Sequence, residues 1–277
     1  MIRGRQVVRR LLLSRGFELT RVMARTDGTT AYSEVEEHIY RLLAELQVRD
    51  RHCVDIAAAD GKQGSNTYAL FRDHWLGLAV EADEHMFKRL AINYASLPAV
   101  QLYRGFVTPH NVESLITAAG IPESFGFLSL DIDGYDYDVL LAILSTFRPA
   151  LICVEINEKI PPPVRLAVRY SPEFVYRSGA CYGMSLAALE DLRREKDYVI
   201  IDLWYNNALL APAECGRESL DMTVAYKQGY IDRADRLEKL PWNLPFEVLQ
   251  KMAPAEIVEF LNELPEFAQN RKHYDIS

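Results

Sequence analysis

The chain has 277 residues, 49% of them hydrophobic and 25% charged, which is ordinary globular composition and enough length for one large α/β domain with additions. Its net charge of −8 argues against a surface built to attract nucleic acid, so no such partner is expected.

The charge is uneven. Arg3, Arg5, Arg9, Arg10, Arg15, Arg21 and Arg25 face a single early acid, Glu18. Such an arm suits an anionic partner, such as a membrane surface, and equally suits a solvated helix face. The early apolar residues Val7–Val8 and Leu11–Leu13 are interrupted by Arg9 and Arg10. That run is too short to span a bilayer and lacks the core and cleavage site of a signal peptide. Cys53, Cys153, Cys181 and Cys215 are widely spaced, with no CxxC pair, so neither a zinc site nor a disulfide framework is expected. A reduced, cytoplasmic setting fits, with any membrane contact peripheral and through the arm.

Along the chain, residues 5–13 read as a helix, followed by Gly16 and a short strand-like piece. Residues 33–47 form the clearest helix: Ser33 and Glu36 make a capping-box pattern, and Val35, Ile39, Leu42, Leu43 and Leu46 recur at helical spacing. Strands and helices then alternate. Strands are expected at 53–57, 76–80, 100–103, 127–132 and 151–156. Helices are expected at 65–72, 84–95, 111–119 (with Asn111 as its cap) and 137–144. A helix at 185–195 and strands at 198–203 and 222–225 follow. Alternation of this kind implies a doubly wound, mostly parallel sheet with helices on both faces. Pro241, Pro245, Pro254 and Pro265 punctuate a tail of short amphipathic helices, read as a lid or a homodimer contact. Three parts are therefore expected: an N-terminal basic arm and helix over 1–48, an α/β domain over 49–230, and a helical appendage over 231–277. No internal repeat is visible.

Ligands of doubly wound sheets bind beyond the carboxyl ends of the strands. After the first strand comes Asp55-Ile-Ala-Ala-Ala-Asp60-Gly61-Lys-Gln-Gly64-Ser65-Asn66-Thr67. It lacks the GxxxxGK[ST] of a Walker loop. A dinucleotide fingerprint placed here would need glycine-like positions at Ala57, Ala59 and Lys62, and all three fail. A small-residue turn with nearby polar groups suits S-adenosylmethionine (SAM), which has no pyrophosphate. Glu81 ends the second strand, where an acid can accept both ribose hydroxyls of an adenosine cofactor. Gly105, Phe106 and Val107 follow the third strand, where an adenine-facing wall would lie.

The segment LSLDIDGYDYD is unusual. Alternation along a strand puts Asp131 and Asp133 on one side, and Glu155 and Asn157 share a side of the next strand. If these strands are neighbours, four oxygen-bearing side chains converge, and burying them without compensation is costly. Mg²⁺ or Mn²⁺ would offset that cost and polarise an acceptor hydroxyl. The plainer alternatives are turn chemistry at Asp133-Gly134 and a Glu155–Lys159 ion pair.

The stretches VDIAAADGKQGSNTYALF, GLAVEAD, VTPHNV, LSLDIDGYDYDVL and VEINEKIPPP together resemble the FkbM-like branch of SAM-dependent methyltransferases, over roughly residues 50–210. GMSLAALEDL and YNNALL also look like elements of that group. The resemblance implies a Rossmann-like methyltransferase fold and methyl transfer, usually to oxygen. It places Asp55, Asp60, Gly61, Asn66, Glu81 and Asp131 at the cofactor site. The resemblance and the loop reading together add Ala57, Ser65, Thr67, Phe106 and Val107. The usual loop glycines appear here as Ala57 and Ala59, whose methyl groups are expected to crowd the methionine end.

Asp131 and His110 are the candidate catalytic groups, His110 as a general base. Tyr135, Tyr137 and Tyr182 are candidates to shape an acceptor pocket. Lys159 is a candidate to fix a substrate loop, and Asn206 and Asn207 to bind polar substrate. The reading is a SAM-dependent O-methyltransferase acting on a small-molecule or glycan hydroxyl. Two other readings stay open. One is a metal-dependent glycosyltransferase using Asp131-x-Asp133, and the other is a binding protein that kept the fold without turnover.

Overall fold

The computed structural model describes residues 34–176 and 179–277, which belong to one compact unit. The basic arm, the early helix and strand-like piece, and Ser33 of the capping box lie outside the described residues.

Helix α1 (Glu34–Glu45) buries Ile39, Leu42 and Leu43, as its periodicity predicts. Its Glu36 is also buried and accepts the backbone N–H of Ala69, which fastens α1 to the next helix. The α/β series follows: β1 (His52–Ile56), α2 (Tyr68–Arg72), β2 (Leu76–Glu81), α3 (Glu84–Asn93), β3 (Val100–Arg104), α4 (Val112–Ala118), β4 (Ser124–Leu130), α5 (Asp136–Ile143) and β5 (Arg148–Glu155). A short β6 (Leu166–Val168) precedes α6 (Leu186–Glu195), β7 (Tyr198–Trp204) and β8 (Asn207–Pro212). Ser185 caps α6 by accepting the Ala188 N–H.

The main sheet has seven strands in the order β3-β2-β1-β4-β5-β8-β7. The strands from β3 to β5 pair in parallel, and β8 runs antiparallel to both β5 and β7. This is the doubly wound, mostly parallel arrangement expected from the sequence. Alternate residues feed opposite faces. Val54, Leu78, Leu128 and Ile152 pack into one core, and Cys53, Ala79, Phe127 and Leu151 into the other. Strand order reverses between β1 and β4, and a crevice opens at their carboxyl ends.

Two local readings differ. Residues 222–225 form helix α7 (Met222–Tyr226) instead of a strand, because the Asp221 carboxylate accepts the N–H groups of Thr223 and Val224 and starts a helix. The strand that pairs with β7 comes earlier, at β8. It is reached through a two-residue turn, Tyr205–Asn206, in which Tyr205 adopts φ +57°.

The tail is largely helical: α8 (Arg236–Lys239), a 3₁₀ helix over Pro241–Lys251, α9 (Pro254–Glu263) and α10 (Pro265–Gln269). Pro241, Pro254 and Pro265 each sit in the first turn, where a missing N–H costs nothing. The tail does not end as a helix, however. Its last strand, β9 (Tyr274–Ile276), pairs antiparallel with β6. Leu249, Leu261 and Phe267 of the tail share a third core with Ile160, Val164 and Leu166 from the segment after β5. Among the described residues, no helix is long and apolar enough to cross a membrane.

Gly77 of β2 marks the closest approach in the sheet. A Cβ there would lie 1.9 Å from the Cys53 carbonyl oxygen. Gly77→Ala is therefore expected to lower stability by about 1–3 kcal/mol through backbone displacement. Urea unfolding monitored by circular dichroism measures it.

Candidate active site

The site is built first by the turn after β1. Ala57 and Ala59 both adopt left-handed backbone, at φ +67° and +48°. Such a conformation costs an alanine about 1–2 kcal/mol where a glycine would pay almost nothing. The turn is held against that cost by Ala58 N–H donating to the Val80 carbonyl and Gly61 N–H donating to the Ala58 carbonyl. The alanines thus keep a glycine-type turn. Their residues form part of the wall of a cavity of about 750 Å³, so the expected crowding does not close it.

The rest of the loop works behind that wall. Asp60 Oδ1 accepts the N–H groups of Lys62 and Gln63, and its Oδ2 takes Arg89 at 2.6 Å. Gly61, at φ +72°, lies against Leu90 and Tyr94, where a Cβ would clash at 2.4 Å. Asp55 is buried and accepts the Thr67 hydroxyl at 2.6 Å. Ser65 Oγ accepts the N–H groups of Thr67 and Tyr68, which delays the helix start to Tyr68. Asp55, Asp60, Gly61, Ser65 and Thr67 therefore shape the loop without lining its cavity. Burial pushes the Asp55 carboxyl up to about 6.

Glu81, at the end of β2, is placed as expected. Its Oε2 accepts the Ala59 N–H at 2.8 Å and its Oε1 the Asp83 N–H at 2.6 Å. Each oxygen keeps a lone pair, and the residue lines the cavity beside Ala57 and Ala59. The wall continues through Gly105, Phe106, Val107 and Thr108. Asn111 stands at the N-cap of α4, but its side chain makes no capping bond. Its Oδ1 accepts the Thr108 N–H and its Nδ2 donates to the Phe106 carbonyl, so it braces this wall instead. The far side is aromatic: Tyr135, Tyr170, Phe174 and Tyr176.

A second cavity, of about 580 Å³, shares Asp131, Asp133 and Tyr176 with the first. The β4–β5 register puts Leu130 opposite Val154, so Asp131 and Glu155 are the next neighbours beyond it. Asp131, Asp133 and Glu155 can bring carboxylate oxygens within 4.8 Å of one another. Burial raises both Asp131 and Glu155, and each is raised further by the other acids near it. Such a pair needs a shared proton or a cation. Burial also raises Asp133, with Lys159 opposing it. Asp136 holds the acidic turn in place: its Oδ1 accepts the Ile132 N–H and its Oδ2 the Gly134 N–H.

Several sequence expectations fail here for geometric reasons. Asn157 is not part of the carboxylate group. The chain turns after β5, and the Asn157 amide donates to the Ala180 and Tyr182 carbonyls. Glu155 does not pair with Lys159. It accepts the Asn206 amide at 2.7 Å, while Lys159 donates to the Tyr182 hydroxyl at 2.8 Å and faces Glu158. His110 is exposed and packs edge-on against Tyr170, outside the lining of both cavities. Tyr137 is buried in the core, whereas Tyr135 and Tyr182 do line cavities. Asn66, Asn206 and Asn207 all line the second cavity.

Several residues at the site carried no local sequence signal: Tyr170, Phe174, Tyr176 and Trp242. They come from the long segment after β5 and from the tail, which only the fold brings to the crevice. Asp136 falls just before the helix expected at 137–144, and nothing in the sequence marked it as the clamp on the Asp131 turn.

No family model matches the chain, and no curated protein matches it. Among solved structures, it is similar to the N-terminal domain of EvdMO1 with SAH bound, at 14% identity, a TM-score of 0.43, and coverage of 65% of this chain and 81% of that one. A S-adenosylmethionine-dependent methyltransferase from Clostridium acetobutylicum is 11% identical with a TM-score of 0.43, covering 76% and 98%. The O-methyltransferase TomG from Streptomyces achromogenes, in complex with SAM, is 15% identical with a TM-score of 0.43, covering 66% and 81%.

Two predictions follow from the strained loop and the buried acids. Ala57→Gly and Ala59→Gly should each raise stability, by up to about 1 kcal/mol, because relief of the left-handed strain is partly offset by glycine's added freedom when unfolded; urea midpoints measure this. Burial also lifts Glu36 to about 7, and Asp55 and Asp136 each to about 6. Between about pH 4 and pH 7 the folded chain then holds protons that the unfolded chain releases, so stability falls as pH rises through that window. The melting temperature should be higher at pH 5.5 than at pH 7.5 in metal-free buffer; a calorimetric scan at each pH checks it.

Proposed function

We propose that the chain is a SAM-dependent O-methyltransferase of the FkbM-like branch, methylating a hydroxyl of a sugar-like or natural-product acceptor with Mg²⁺ or Mn²⁺ at Asp131, Asp133 and Glu155. The observation that carries this reading is the pair of cavities meeting at Asp131 and Asp133. One has Glu81 and an apolar wall, and the other has carboxylates and amides.

The first cavity fits an adenosine cofactor. Glu81, fixed by two backbone N–H groups, offers its remaining lone pairs to ribose hydroxyls. Val107 and Ile132 offer apolar surface for a base. Absence of a phosphate-binding glycine pattern favours a cofactor without a pyrophosphate. Bound SAM would supply an electrophilic methyl group on sulfur.

In the second cavity, Asn66, Asn206 and Asn207 can orient an acceptor hydroxyl beside the carboxylates. The donor set fits a hard divalent cation: oxygens of three carboxyls come within 4.8 Å of one another, and a positive charge there would relieve the burial and mutual repulsion that raise Asp131 and Glu155. Such a cation would lend Lewis acidity to the acceptor oxygen. Asp131 stands at the junction and is the group placed to receive the hydroxyl proton when no cation is present.

Titration calorimetry with S-adenosylhomocysteine tests the cofactor. The wild type should bind, and Glu81→Ala should weaken binding by about tenfold to a hundredfold through loss of charge-assisted hydrogen bonds. An absence of binding by the wild type sinks the reading. For the cation, Mg²⁺ or Mn²⁺ at pH 7.5 should raise the melting temperature of the wild type and leave Asp131→Asn unchanged. No rise in the wild type removes the metal.

A further inference from the structure

The two ends of the second cavity differ in chemistry. Its floor is polar, made by Asp131, Glu155, Asn206 and Asn207. Its outer wall is apolar, made by Val35, Leu240 and Trp242. Trp242 is the second residue of the 3₁₀ helix Pro241–Lys251, in which residues three apart eclipse one another. The inward edge carries Asn243 and Leu249, both buried, with Phe246 half-buried between them. The next edge carries Trp242, Pro245 and Val248, all exposed. Trp242 is 57% exposed and Val248 47%, and Leu244 on the adjoining edge is 64% exposed. An apolar ridge therefore leaves the cavity mouth and runs outward for about 12 Å at the 3₁₀ rise of 2 Å per residue.

The ridge is held rigidly, so its exposure is not the result of a loose tail. Asn243, the neighbour of Trp242, donates to Glu158 Oε1 at 2.6 Å and to the Tyr230 hydroxyl at 3.0 Å. Glu158 is fully buried and also accepts the Tyr182 hydroxyl at 3.1 Å. Gln250 donates to the Tyr226 hydroxyl at 2.8 Å, and that hydroxyl donates to the Glu158 carbonyl at 2.7 Å. Trp242 is thus pinned over the cavity by a buried network rooted just beyond β5. Fixing an exposed apolar edge in this way is costly unless something covers it in use.

We infer that the acceptor is an amphiphile: its hydroxylated head enters the polar cavity, and an apolar extension lies along Trp242, Pro245 and Val248. The inference rests on the reading of the second cavity as the acceptor site. Continuity is the argument for this occupant over any other. Trp242 is at once a wall of the cavity and the first residue of the ridge, so a ligand that fills the one meets the other. The head supplies the hydroxyl, and the ridge supplies affinity through burial of apolar surface. Selection by the ridge favours acceptors with an alkyl, isoprenoid or aryl extension over the bare polar head.

The test uses a homologous series with one head and a growing tail: 1,2-propanediol, 1,2-hexanediol and 1,2-octanediol, each kept below its aggregation concentration. Binding to protein preloaded with S-adenosylhomocysteine is followed by saturation-transfer NMR. Affinity should rise at least tenfold from propanediol to octanediol. In the Trp242→Ala/Val248→Ser double variant the rise should shrink below threefold, with S-adenosylhomocysteine affinity unchanged. Equal affinities along the series, no binding by any diol, or a rise that persists in the double variant each overturns the inference. Sedimentation velocity decides against a second copy of the chain as the occupant: a sedimentation coefficient that falls in the double variant makes the ridge an interface between copies and overturns the inference too. If the wild type fails to bind S-adenosylhomocysteine, the methyltransferase reading falls by itself, and the diol series run without it still decides the ridge.

Discussion

Carboxyl groups crowd the carboxyl edge of β4 and β5, and much of the surrounding structure answers that crowding. The parallel register leaves Asp131 and Glu155 side by side just past the Leu130–Val154 pair, with Asp133 close by. Removing these charges from water costs several kcal/mol each unless they are paired or protonated. The neighbouring elements supply what compensation the chain has. Asn206 reaches Glu155 from the turn between β7 and β8, and Lys159 stands near enough to pull Asp133 down. Asp136 clamps the backbone of the acidic turn through two N–H groups. The compensation is incomplete, which is why the acids stay raised and why the place suits a cation or a proton in transit.

A related tension shapes the turn after β1. Two alanines occupy left-handed backbone that glycine would adopt freely. They stay there because the turn is held at several points: by Val80 through Ala58, by Glu81 through Ala59, and by Asp60 through the following residues. Glu81 therefore has two tasks. It stabilises the strained turn, and it presents its free lone pairs to the crevice. The loop and the acid at the end of β2 therefore form one unit.

The tail is integrated with the site and not merely attached to the domain. Its last strand completes a two-stranded pairing with β6, and its 3₁₀ helix is pinned to Glu158. The segment after β5 thus contributes to both cavities and to a core shared with the tail. A change in the tail would be felt at the mouth of the second cavity before it reached the carboxylates.

Periodicity and residue order in the sequence determined the alternating α/β plan, the parallel sheet, and the positions of the loop, Glu81 and the acidic pair, because each depends on neighbours close along the chain. Residues 222–225 misled for a local reason: their apolar, β-branched character is outweighed by the Asp221 cap. The tertiary structure alone decided which polar atoms are free. Asp55, Asp60 and Thr67 are spent on the loop and on Arg89, and the Asn157 Nδ2 is spent on the carbonyls of Ala180 and Tyr182, while Glu155 meets Asp131 across a strand pair. It also decided that Trp242 stands over a cavity whose floor lies more than eighty residues earlier in Asp131 and Glu155. The reason is physical: backbone patterning reports which face a residue takes, but a side chain's partner is set by whichever distant segment the packed core brings to it.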